Sequence, residues 1–205
     1  GIIGGIYAVT TETIASVTNT IKNCKNDKDA TISHDKWTNT NGGGMGGVLG
    51  CHSADKTITA VINIESCINN ATVKKIGQGI QGDFHVAGIA GSFYTPTNVT
   101  GNITSCKNYG AVSVDNANYS HSRWSYVGGI IGHFGCNGKV ESCENHGNVT
   151  CTRFSSSDGT KRMGGIVGNA DNKTYTNCKN YGTIKEASKS NAVDIGGIIG
   201  RSNSD

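Results

Sequence analysis

Cysteine and histidine are the residues best suited to bind a metal or attack a bond, and the chain carries eight of one and six of the other. Their spacing argues against both uses. Zinc sites are built from closely spaced Cys and His ligands, and no C-x-x-C pair occurs. The nearest approximations are Cys51 with His52, and His133 with Cys136. They flank equivalent blocks two repeats apart. The H-E-x-x-H helix signature of metallopeptidases is absent, as is the Gly-x-Ser-x-Gly elbow of serine hydrolases. The glycine run 42–47 has neither the Gly-Lys-Ser/Thr ending of a phosphate loop nor a following helix. The expectation is no metal and no cofactor.

Acid–base chemistry on a polysaccharide would need carboxylates or basic groups converging on one groove. The candidates are Asp83 with His85, and Glu141 with Glu144, the former glutamate aligned with Glu65. Scattered in this way, they read as solvated surface charge, so no catalytic residues are expected. The best contact candidates lie in the stretch 119–126, expected to be an outer loop: Tyr119, Arg123, Trp124 and Tyr126. Tyr and Trp give large, stiff contact surfaces and Arg adds directed donors. The blander expectation, that Trp124 folds back over the body of the protein, is preferred.

The elements that must position these residues come from an internal repeat. A glycine block recurs at 46–50, 87–91, 128–132, 164–168 and 196–200, for example Gly128-Gly129-Ile130-Ile131-Gly132. A cysteine block alternates with it, led by Cys24, Cys67, Cys106, Cys143 and Cys178, with Asn26, Asn69, Asn108, Asn145 and Asn180 two residues on. Three residues before each cysteine stands Ile21, Ile64, Ile103, Val140 or Tyr175. Six residues after it stands Ala30, Val73, Val112, Val149 or Ile184. Ile32, Val114 and Cys151 add a second apolar position, while Lys75 and Glu186 break that rule and suggest a strand end.

No stretch holds a helical period, so short strands are expected throughout. A unit that cannot bury its own apolar face gains a continuous core by stacking on copies of itself. The fold class expected is therefore all-β, a parallel β-solenoid (β-helix) of about five stacked repeats. The approximate boundaries are 1–45, 46–86, 87–127, 128–163 and 164–195, with a partial repeat at 196–205. The opening Gly1-Ile2-Ile3-Gly4 reads as a truncated glycine block, which suggests a piece of a longer protein. In such a stack the five asparagines form an amide ladder. The five cysteines form one inward column of free thiols, because parallel side chains point the same way rather than at each other.

The alternation of G-G-I-hydrophobic-G with C-x-N-x-G-x-V resembles the GLUG (Gly-Leu-hydrophobic-Gly) repeat family of bacterial surface proteins. Lys28 and Ala71 depart from it, standing where later copies have Gly110, Gly147 and Gly182. The resemblance implies a bacterial, extracellular or cell-surface protein, often very large. In some relatives the repeat is an accessory region beside an immunoglobulin A1 metallopeptidase.

Charge narrows the functions further. Only 16% of residues are charged, the formal net charge is +3, and no basic run exceeds a pair. Nucleic-acid binding calls for a clustered basic face, so no nucleic acid is expected. No apolar run reaches membrane-spanning length, so no direct membrane insertion is expected. The reading is a non-catalytic structural or adhesive module that acts as a stalk or a weak, repeated contact surface. Its partners would be glycans, host or cell-surface proteins, and neighbouring domains of a larger chain. The alternative is a carbohydrate-active β-helix enzyme of the lyase or glycosidase type.

Overall fold

The computed structural model describes residues 1–8, 16–34, 43–54, 59–76, 83–93, 98–115, 124–152, 161–171, 174–186 and 193–203. Among them every regular element is a strand. One coil runs through Leu49–Ala54, Thr59–Glu65, Ile68–Asn69, Thr72–Ile76 and Phe84–Ala87. Each strand pairs in parallel with its counterpart in the coils before and after it. Five sheets result, of six, five, four, five and five strands. They are called the first to fifth sheets, in the order the chain meets them within a coil. The protein is an all-β parallel solenoid.

Register follows the repeat. Ile21, Ile64, Ile103, Val140 and Tyr175 fall in one column of the second sheet. The first copy differs. Ile32, not Ala30, pairs with Val73, and Ala30 is exposed. A turn around Lys28-Asp29 adds two residues there and displaces the apolar position. Lys75 is also not a frayed strand end. It shares a column with Val114, is 1% exposed, and holds its Nζ 4.9 Å from the centre of the Phe84 ring. Burial lowers its pKa to about 8.

The glycine block explains the cross-section. In Gly128-Gly129-Ile130-Ile131-Gly132, Gly128 ends a strand of the fifth sheet and Ile131 begins one of the first. A Cβ on Gly128 would overlap the Ile131 carbonyl, and one on Gly129 would overlap the Gly165 carbonyl and the Asn145 carboxamide. The two sheets therefore lie back to back with their backbones touching, and the turn between them abuts the asparagine ladder. On either side of this partition lies a separate core. One, between the first and second sheets, holds Leu49, Ile64, Phe93, Ile103, Phe134 and the cysteine column. The other, between the fourth and fifth, holds Val73, Val86, Val112, Val127, Cys151 and Met163.

The ladder is continuous. Each Nδ2 of Asn26, Asn69, Asn108 and Asn145 donates to the Oδ1 of the next asparagine, at 2.9, 2.8, 2.8 and 2.8 Å. The second Nδ2 hydrogen of Asn69, Asn108, Asn145 and Asn180 goes to the carbonyl two residues on. Just before each cysteine of the column the chain turns a left-handed corner, at Asn23, Ser66, Ser105, Ser142 and Asn177, with φ of 56, 52, 55, 54 and 54°. None of the eight cysteines is in a disulfide. Cys67, Cys106 and Cys143 are fully buried, whereas the end members Cys24 and Cys178 are only half-buried. Hydrogen bonding between neighbouring thiols, together with burial, pushes Cys67 and Cys143 well above the ordinary thiol range.

Candidate functional site

Glycines cannot line the whole partition, because the strands run past the block on both sides. Two positions before each block's first residue, the fifth sheet carries Gly44, His85, Tyr126, Arg162 and Asp194 in one column. Directly after each block's last glycine, the first sheet carries Cys51, Ser92, His133, Asn169 and Arg201 in another. These columns face each other. The His85 ring stacks on Tyr126 at 5.0 Å, and both pack against His133, at 4.8 and 5.1 Å. The Arg162 guanidinium lies 5.1 Å over Tyr126, donates to its hydroxyl at 3.4 Å, and donates to Asn169 Oδ1. Its Nε is 3.7 Å from Asp194 Oδ2, which Arg201 also approaches at 3.3 Å.

At the outer edge the partition opens into a cleft of about 190 Å³ lined by Asp83, His85, Trp124, Tyr126, His133, Asn169 and Asp171. Trp124 forms the rim, 52% exposed. Its ring lies 6.3 Å from that of Tyr126, and its backbone N–H donates to Asp83 Oδ1 at 3.1 Å. His133 Nε2 stands 3.8 Å from Asp171 Oδ2. The floor is dry. Burial, and then the neighbouring His133, hold His85 well below the ordinary imidazole range, and burial pushes the Tyr126 hydroxyl up to about 12. Among the described residues, no hydrogen bond reaches either ring nitrogen of His85.

Several expectations change here. Tyr126 is not on an outer loop but in the strand Ser125–Gly128, 2% exposed, because its column faces the partition. Trp124 neither lies wholly back on the body nor stands free of it. His85 is not a solvated surface group: it is 4% exposed. Tyr119 and Arg123 lie outside the described residues. Glu141 and Glu144 do point to solvent, paired with Lys139 at 2.6 Å and with Lys107 at 3.1 Å. His146 also approaches Glu144, at 3.0 Å. That outer face carries the stacked rings of Tyr109, His146 and Tyr181, 4.6 Å apart at each step. Among the described residues, no three His, Cys, Asp or Glu side chains are grouped to hold a metal.

A wider recess, about 450 Å³, is lined by Lys25, Asn26, Asp27, Lys28 and Asn70. It lies beside the first rung of the amide ladder and offers no aromatic platform, so the smaller cleft is the better candidate. Asn169, Asp171 and Arg162 were not singled out from the sequence, and His133 was weighed only as a metal ligand. Their fixed offsets from the glycine block carried the signal for three of them. No family model matches this chain, and neither does any curated protein or solved structure.

Proposed function

We propose that this chain is a non-catalytic structural or adhesive β-solenoid module of a secreted or cell-surface protein, with the cleft beside Trp124 as its contact site for saccharides. The observation that carries this is the half-exposed Trp124 indole standing over a cleft that also presents Asp83, Asp171 and Asn169. An aromatic face takes the apolar C–H face of a sugar, and planar carboxylates and amides take its hydroxyls. At about 190 Å³ the cleft is smaller than the ~300–1,000 Å³ of pockets that enclose drug-sized ligands. It suits one sugar ring at the end or side of a chain, hence weak contact that gains strength only by repetition. The GLUG-like alternation of blocks supports the surface location.

A carbohydrate-active enzyme is the second reading, favoured by the approach of His133 to Asp171 in the same cleft as Asp83. Against it, the Tyr126 hydroxyl at about 12 is a poor base near neutrality. The test is a glycan array probed with the intact chain, beside incubation of the chain with plant and host polysaccharides. Retention of glycans without product release is expected. Release of oligosaccharide or unsaturated product overturns the non-catalytic reading.

A further inference from the structure

We propose that the cysteine column binds a soft closed-shell cation, Cu(I), held in line between neighbouring thiolates, with one ion at each end of the column: between Cys24 and Cys67, and between Cys143 and Cys178.

The geometry of the column is the first argument. Ile68, Lys107, Glu144 and Lys179 each donate a backbone N–H to the carbonyl of the column cysteine one coil earlier, at 2.8, 2.9, 2.9 and 2.9 Å. The cysteines therefore follow one another at the parallel-strand spacing of about 4.8 Å. All five thiols point alike. Each reaches the carbonyl two residues before it, at 3.5, 3.4, 3.4, 3.3 and 3.5 Å from Cys24 to Cys178. The Sγ atoms thus form a row with the strand spacing. Two metal–sulfur bonds of about 2.3 Å, placed end to end, span one step of that row. Thiolate is the ligand that selects Cu(I), and Cu(I) accepts two thiolates in line. Side chains that point the same way do not close on one centre, so the four-sulfur tetrahedron of a structural zinc is out of reach. Accordingly, no three His, Cys, Asp or Glu side chains among the described residues are grouped to hold a metal.

Charge decides which thiols pair. Binding breaks two S–H bonds, forms two Cu–S bonds and releases two protons to solvent. No electron moves, and each site keeps one negative charge. Burying that charge is costly, which favours the two ends. Cys24 and Cys178 are half-buried, whereas Cys67, Cys106 and Cys143 are fully buried. A sulfur shared by two ions would need two opposed bonds in line, against its bent geometry. Five thiols therefore make two pairs, and Cys106 remains a thiol. Hydrogen bonding from Cys143 lowers the Cys178 thiol, which assists the C-terminal pair. The carbonyls of Glu65, Glu141 and Thr176 keep a donor when the thiol protons leave, because they also accept from the backbone N–H of Asn23, Ser105 and Ser142, at 3.0, 2.9 and 2.9 Å.

The experiment is anaerobic titration of the reduced 205-residue chain with Cu(I) against a colorimetric Cu(I) chelator, with X-ray absorption of the loaded protein. Two ions per chain should be withheld from the chelator, each with two sulfur neighbours, and Cys24 and Cys178 should lose their reactivity toward alkylation. Cys24→Ser and Cys178→Ser, at the half-buried ends, should each remove one ion, and the double variant both. Cys106→Ala should keep both ions, as should Cys51→Ala outside the column, with folding checked by circular dichroism. If Cys106→Ala does not fold, the end variants still decide. Retention of no ion, three or four sulfur neighbours per ion, or two ions kept by the double end variant overturns the proposal. So does loss of an ion from folded Cys106→Ala. Zn(II) should not be withheld from a zinc chelator; its stoichiometric retention by the column would mean that the thiols converge, and overturns the linear site.

Discussion

His52 gives a sharp test of the packing. It lies in the first sheet, in the column of Phe93 and Phe134, 1% exposed, with its ring edge-on to Phe93 at 6.3 Å. Neither ring nitrogen has a hydrogen-bond partner among the described residues, and burial lowers its pKa from 6.5 to about 4. His52→Phe extends the aromatic column and removes two buried polar atoms. Near neutral pH this should stabilise by about 1 kcal/mol, the net worth of not burying unpaired groups once some overpacking is allowed for. Acid enlarges the difference. Between pH 6.5 and 4 the unfolded chain holds a proton on His52 that the folded chain does not, so wild-type stability falls as pH drops through that window. The gap is worth on the order of 3 kcal/mol at about pH 4. Guanidinium unfolding of both proteins, followed by circular dichroism at about pH 7.5 and about pH 4, measures it. Every other titrating group is shared and cancels in the difference. An advantage for the variant that stays constant between the two pH values refutes the reasoning, because it means His52 is not held neutral by burial.

Alkylation and mass spectrometry of the native protein should leave Cys67, Cys106 and Cys143 unlabelled while Cys24 and Cys178 react. All eight thiols should label after denaturation without reductant, and a disulfide within the column would break the stacking account. Asn108→Ala removes three hydrogen bonds from a fully buried rung and should cost about 3 kcal/mol or more in guanidinium unfolding. Gly129→Ala, whose Cβ would overlap backbone and the Asn145 carboxamide, should abolish soluble expression. Gly4→Ala, which meets open space, should shift the melting temperature little.

How far the fold could be read from the sequence depended on how rigidly a position is forced. The glycine block, the cysteine and the asparagine each face a contact that admits almost no other residue, so they recur and reveal the stack. The left-handed corner recurs too, as Asn or Ser immediately before each of the five cysteines of the column, and could have been read the same way. The first copy misled because two added residues near Lys28 keep the spacing plausible while moving Ala30 out of the core and Ile32 into it. Lys75 misled because a long amine can be buried when its stem packs and its end meets the Phe84 ring. The cleft was hardest to see. His85, Tyr126, Arg162 and Asp194 share a position but no chemistry, so a search for similarity passes over them. What brings them together is the backbone contact between two glycine-lined sheets.

The amide ladder gives the molecule a direction. Backbone hydrogen bonds in a parallel sheet alternate in sense along each strand, and their dipoles largely cancel. The asparagine side chains do not alternate: every Nδ2 from Asn26 to Asn145 donates toward the C-terminal coil. From Asn69 onward the flipped amide is excluded, because the other Nδ2 hydrogen serves a carbonyl that needs a donor. The chain of amides is thus a row of aligned dipoles along the solenoid axis, each polarising the next. One end of that row presents an acceptor and the other a donor. A coil added in the reverse sense, or an Asp in place of one Asn, would set two acceptors against each other. The repeat is accordingly one-way, like a row of arrows rather than a stack of discs.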